Sequence, residues 1–158
     1  MSETPQDAPE NTVWYGGEMD WFSISLRIFS DNLEPNQITK LLRYNPTKEL
    51  KKNDPINNKS KRISEKNVWE LTLKANDSSK NINSEILNIL NNINKNKRSW
   101  KIINNHSRVD LFIGMVMKSK NKGIEIDPIL MRLLGKLNIT IGFDVYYEEE
   151  NQLTTAST

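Results

Sequence analysis

The sequence predicts an α+β domain in which an antiparallel or mixed β-sheet carries about three helices, packed mainly on one face. Three observations predict it. Alternating apolar and polar residues mark several strands with one wet face, and apolar residues at helical spacing mark the segments between them. Successive strands are separated by hairpin-like loops as well as by helices, which argues against a doubly wound parallel sheet.

The elements follow in order. Phe22, Ile24, Leu26 and Ile28 alternate with Ser23, Ser25 and Arg27, so the first strand lies here. Pro35 suits the first position of a helix whose stripe is Ile38, Leu41 and Leu42, and which should stop near Tyr44 because Pro46 disfavours helix at Asn45. Lys48 to Lys66 is polar and rich in Asn and Lys, a long hairpin-like loop with a short strand expected around Lys61 to Ser64.

Asn67 to Lys74 reads as a strand with Trp69, Leu71 and Leu73 on one face, and Ile82, Ile86, Ile89, Leu90 and Ile93 as the clearest helix. Arg108 to Lys118 is the longest strand, apolar enough on both faces to be central. Ile124 and Ile126 suggest a brief strand after a turn at Asn121 to Gly123. Asp127-Pro128 starts a helix over Ile129 to Leu137, and Ile139 to Tyr147 closes the domain as an alternating strand. Pro35 with Ile38, Leu41 and Leu42 is echoed by Pro128 with Met131, Leu133 and Leu134, a short similarity that suggests two related halves.

At 158 residues, 36% hydrophobic and 27% charged, with six Gly and six Pro, the chain suits one globular domain rather than a fibrous or disordered one. The folded unit is expected over 21–147, between an acidic tail and lead-in at 1–20 and a polar tail at 148–158. There is no cysteine, which removes disulfides, thiolate nucleophiles and cysteine metal sites together. With no apolar leader and no stretch near the ~20 apolar residues of a membrane span, a cytoplasmic protein is expected.

A formal charge of +2 conceals segregation. Residues 1–20 hold five acids and those from Ile141 onward four, with no Lys or Arg in either, so the section between carries 22 bases against 11 acids. A basic body of this sort attracts nucleic acid or an acidic protein. The competing reading is composition alone, because Asn and Lys are crowded together as an AT-rich genome would encode them (Asn91, Asn92, Asn94, Lys95, Asn96, Lys97).

Catalytic equipment is not evident. His106 is the single histidine and reads as a turn residue; Ser107 beside it is no evidence of a nucleophile. The glycines form neither a P-loop nor a dinucleotide fingerprint. Asp110 and Asp144 would make a carboxylate pair if their strands were neighbours, but both occupy outward positions and read as solvated surface acids. No catalytic residue, metal or cofactor is expected.

Several pieces together resemble a known family. Phe22-Ser23-Ile24-Ser25-Leu26-Arg27-Ile28, Pro35 followed by Ile38-Thr39-Lys40-Leu41-Leu42, Asn45-Pro46-Thr47, Val68-Trp69-Glu70-Leu71, the Ile129 to Leu137 helix and Phe143-Asp144-Val145-Tyr146 are similar to the bacterial domain-of-unknown-function family numbered 4279. The resemblance runs from about Trp21 to Tyr147 and implies a compact α+β protein of unassigned activity. It departs from the family pattern at Leu42-Arg43-Tyr44, where Leu-Gly-Ile is expected, and at Lys52-Asn53-Asp54, where Lys-Gly-Asp is expected.

The expected function is binding of another protein without catalysis, in the manner of an immunity, inhibitor or defence-accessory protein, a step made by analogy. The long polar loop is the candidate binding element, with Lys51, Lys52, Lys59, Lys61 and Arg62. The alternative is nucleic-acid binding through that loop, with Lys97, Arg98, Trp100 and Lys101 as a second basic and aromatic patch. An enzyme of unrecognised type is the third reading.

Overall fold

The computed structural model describes residues 19, 21–57, 59, 61–75, 81–118 and 122–148. The tails expected at 1–20 and 148–158 and the turn residue Asn121 lie outside these, apart from Met19 and Glu148. Five strands and four helices follow one another as β1 (Trp21–Ser30), α1 (Pro35–Leu42), β2 (Lys48–Leu50), β3 (Asn67–Ala75), α2 (Ile82–Asn92), α3 (Lys97–His106), β4 (Ser107–Met117), α4 (Pro128–Leu137) and β5 (Thr140–Tyr147).

The sheet order is β2-β3-β1-β4-β5, antiparallel throughout except for the parallel β4–β5 pair. The fold is therefore α+β with a mixed sheet. Strands β1 to β4 have the order and sense of a split βαβ (ferredoxin-like) unit, and α4 with β5 extends it by one parallel strand. The two helices that begin with proline both link parallel strands. Helix α1 connects β1 to β2 across the intervening β3, whereas α4 connects neighbours.

Alternation sorts β1 into two faces. Phe22, Ile24, Leu26 and Ile28 are buried, and across the register they meet Leu71 and Trp69 of β3 and Met115, Ile113, Leu111 and Val109 of β4. Ile38 and Leu42 of α1, Ile86 and Leu90 of α2, Trp100 and Ile103 of α3, and Leu130 and Leu134 of α4 join them in one cluster. All four helices thus cover one face, and the other is free to carry polar chemistry.

The structure departs from the sequence reading in five details. Lys97–His106 is a fourth helix, so about three helices becomes four; its buried stripe is only Trp100 and Ile103, too little to stand out among polar neighbours. Its start is fixed by Asn96, whose side chain accepts from the backbone N–H groups of Arg98 and Ser99. His106 is the last residue of this helix, not a turn residue.

The long loop holds a short strand, but at Lys48–Leu50; Lys61 to Ser64 contributes only an isolated bridge between Ile63 and Pro55. Ile124 and Ile126 pack against the core without forming a strand. Asn83 holds that segment instead, its Nδ2 donating to the Glu125 carbonyl and its Oδ1 accepting from the Asp127 N–H. Finally, α1 stops at Leu42 because Arg43 turns left-handed (φ 55°) and donates its N–H to the Thr39 carbonyl.

Candidate functional site

The uncovered face of the sheet is built around Arg27. Register places it between Glu70 of β3 and Asp110 of β4. Its guanidinium makes a two-point bond to Asp110, Nε to Oδ1 at 2.7 Å and Nη2 to Oδ2 at 3.1 Å. It also lies 4.1 Å from the centre of the Phe112 ring and 5.5 Å from that of Phe29. Arg108 approaches the same carboxylate at 3.6 Å.

Asp110 is 3% exposed, so the expectation of a solvated acid fails: Arg27, itself held over the Phe112 ring, bonds an outward position that alternation alone assigns to water. Asp144 shares the face but pairs with Gly114, four rungs from Asp110, or about 13 Å at strand spacing. Its carboxylate accepts from the Tyr146 hydroxyl at 2.6 Å, which pushes the phenol's pKa up, first through that hydrogen bond and then through charge repulsion of the phenolate. The two acids do not form a catalytic pair.

Beside Arg27 the long loop and the open face border a shallow, open cleft of about 790 Å³. Its apolar surface comes from Phe29, Leu50, Ile56, Ile63 and Val68. Five cations line it, Arg27, Lys48, Lys61, Arg62 and Lys66, against Glu65 and Glu70. Among these, Arg27 is bonded to Asp110, and Lys66 pairs with Asp31 at 3.1 Å.

The loop is held at both ends. Asp54 Oδ2 accepts from the Lys51 N–H at 2.7 Å and Asn67 Oδ1 from the Lys52 N–H at 2.9 Å. Backbone bonds link Asn53 to Ser64 and Ile56 to Arg62. Asn53 takes a positive φ of 73°, so the turn survives where glycine was expected.

The loop residues singled out by sequence divide here. Lys61 and Arg62 line the cleft; Lys51, Lys52 and Lys59 do not, and Lys51 instead reaches Glu34 at the start of α1 at 3.3 Å. The second patch loses its aromatic member, because Trp100 is buried at 2% and its Nε1 donates to the Asn94 carbonyl. Lys97, Arg98 and Lys101 remain exposed on α3. Trp69 is likewise core, bonded through Nε1 to Thr39 Oγ1.

Sequence reading missed Arg27, Lys48, Lys66 and the apolar part of the lining. One signal was present: Arg27 is the lone charge on a strand face otherwise composed of Trp21, Ser23, Ser25 and Phe29. Among the described residues no group of three or more His, Asp or Glu side chains is placed to hold a metal ion, and no helix is long and apolar enough to cross a membrane.

No curated protein and no solved structure matches the chain. The strand, helix and loop pieces that resembled a family do so as one unit, since a single family model runs through β1, the cleft loop, Arg27, Asp110 and β5 alike. With residues 20–148 matched, the chain belongs to the family of domains of unknown function numbered 4279 (DUF4279).

Proposed function

We propose that this chain is a protein-binding module, without catalysis or a cofactor of its own, that takes an acidic segment with an apolar anchor from a partner protein. The observation that carries this reading is the cleft between the long loop and the open sheet face, lined both by apolar side chains and by cations. Protein interfaces combine an apolar centre with a polar rim, and the rim charges steer the partner and set its register. A role as an immunity, inhibitor or accessory protein in the cytoplasm is consistent with such a module and with the cysteine-free composition.

A nucleic-acid partner is less well served. Sequence-tolerant binding of single strands relies on exposed aromatic faces beside cations. Both Phe rings near the cleft have the Arg27 guanidinium over them, and Trp69 and Trp100 are buried.

The test is affinity capture at physiological salt from cell extract with and without nuclease treatment, using the intact chain and a variant carrying Lys48→Glu, Lys61→Glu and Arg62→Glu. A defined protein retained by the first and lost from the second supports the reading. Retention of nucleic acid alone, or of the same protein by both, overturns it.

A further inference from the structure

Strand β5 ends the sheet, and among the described residues nothing pairs with its outer edge. Natural edge strands are protected by lysines, prolines, bulges or short length. β5 has none of these: it runs eight residues, pairs with β4 in unbroken register, and carries a single charge, Asp144. Phe143, Val145, Tyr146 and Tyr147 are all about half exposed along it, at 45%, 50%, 56% and 46%.

The backbone has a defined sense. Glu148 donates its N–H to the Met117 carbonyl at 3.0 Å, so even-numbered residues direct their polar groups toward β4. Ile141, Phe143, Val145 and Tyr147 therefore direct theirs outward, with no bond to them among the described residues.

We infer that the outer edge of β5 pairs antiparallel with β5 of a second copy of this chain, about a two-fold axis at Val145. The register follows from elimination. Centring on Asp144 would set two carboxylates directly opposite each other, and centring on Tyr146 would set Asp144 opposite the partner's Glu148, both destabilising arrangements. Centring on Phe143 would put Tyr147 opposite Ile139, beyond the end of the strand.

Centring on Val145 matches each exposed residue with a suitable neighbour. Val145 meets the partner's Val145, and Phe143 meets the partner's Tyr147 on both sides of the axis. These are outward-directed residues, so each pair exchanges two backbone hydrogen bonds. On the other face Asp144 lies opposite the partner's Tyr146, acceptor against donor; the same two groups already bond within one chain at 2.6 Å. The contact is isologous and closes after two copies, which removes the exposed edge.

The absence of cysteine makes the register testable. Val145→Cys places two thiols on the axis, where Cα atoms of a hydrogen-bonded antiparallel pair lie about 5.5 Å apart, within disulfide range. Phe143→Cys places its two thiols four residues out of step, about 14 Å apart, too far to bridge. On the intact chain, sedimentation should give twice the chain mass, and Val145→Lys should halve it with an unchanged circular dichroism spectrum. Mild oxidation should cross-link Val145→Cys and leave Phe143→Cys monomeric under denaturing conditions. A single-chain mass at every concentration, as when the chain's own residues 1–18 occupy the edge, overturns the inference. So does a dimer that survives Val145→Lys, or equal cross-linking of the two cysteine variants.

Discussion

Arg27 and Asp110 face each other across the β1–β4 register and bond at two points, although the carboxylate is nearly sealed from water and the guanidinium only partly so, at 4% and 27% side-chain exposure. The pair joins the two central strands on the face that the helices leave open. It also sets one wall of the cleft, because the same guanidinium lies among the cleft residues.

Removing one partner should cost far more than removing both. Arg27→Ala leaves Asp110 buried with only Arg108 at 3.6 Å, and a loss of about 3 kcal/mol is expected. The double variant Arg27→Met with Asp110→Leu replaces the pair by apolar volume and should recover most of that loss. Denaturant melts of the single and double variants measure the difference; equal destabilisation of both would show that the charge pair itself, rather than an orphaned carboxylate, sets the stability.

Much of the fold was legible because the core obeys simple periods. Phe22 to Ile28, Trp69 to Leu73 and Val109 to Met115 alternate cleanly, and all lie on the helix-covered face. What escaped was written in asparagines that composition made look incidental. Asn81 and Asn96 cap α2 and α3, Asn53 and Asn138 take positive φ, and Asn83 pins the segment before α4. Each of these uses a short amide where side-chain geometry, not periodicity, decides the structure. The cleft escaped for another reason: Arg27 lies on β1, and only strand order and loop closure bring it together with Lys48, Lys61 and Lys66 from the two ends of the long loop.

Arg43 occupies a position that glycine would fill with less strain. Its φ of 55° costs a residue with a side chain about 1–2 kcal/mol, part of which glycine gives back through its greater freedom in the unfolded chain. Arg43→Gly should therefore stabilise the protein by about 0.5 kcal/mol, read as a raised denaturation midpoint. At Asn53, whose φ of 73° suits asparagine better than most residues, the corresponding gain should be smaller. A loss at Arg43 would mean that its side chain makes contacts worth more than the strain.

Trp69 is fully buried and spends its one donor on Thr39 of α1. Trp69→Ala should cost about 3–5 kcal/mol through the cavity it opens, whereas Thr39→Val, which removes only the acceptor, should cost about 1 kcal/mol. Thermal melts of the two variants separate packing from hydrogen bonding. A near-neutral Trp69→Ala would contradict its place at the centre of the core.

The last prediction separates a protein partner from nucleic acid by means of salt. If the cationic residues hold phosphates, log affinity for an oligonucleotide should fall linearly with log salt, by about 0.9 per phosphate neutralised on duplex DNA and about 0.7 on single strands. The loop and the cleft then make different demands. A phosphate-binding loop would use all of Lys51, Lys52, Lys59, Lys61 and Arg62, and reversing any of them would flatten the slope. A cleft that takes an acidic, apolar segment uses Lys48, Lys61 and Arg62, while Lys51 is occupied with Glu34 and faces elsewhere. We therefore expect oligonucleotide binding that is weak and vanishes near physiological salt. Binding of peptides that combine Asp or Glu with Phe or Leu should persist there, because the apolar lining contributes independently of ionic strength. Reversal of Lys48 and Lys61 to Glu should abolish peptide binding, and reversal of Lys51 and Lys52 should leave it within about twofold, since rim charges away from a contact act mainly on its rate of formation. Fluorescence anisotropy with both probes across a salt series measures each slope, and tight oligonucleotide binding at physiological salt that depends on Lys51 and Lys52 would replace the cleft by the loop as the functional element.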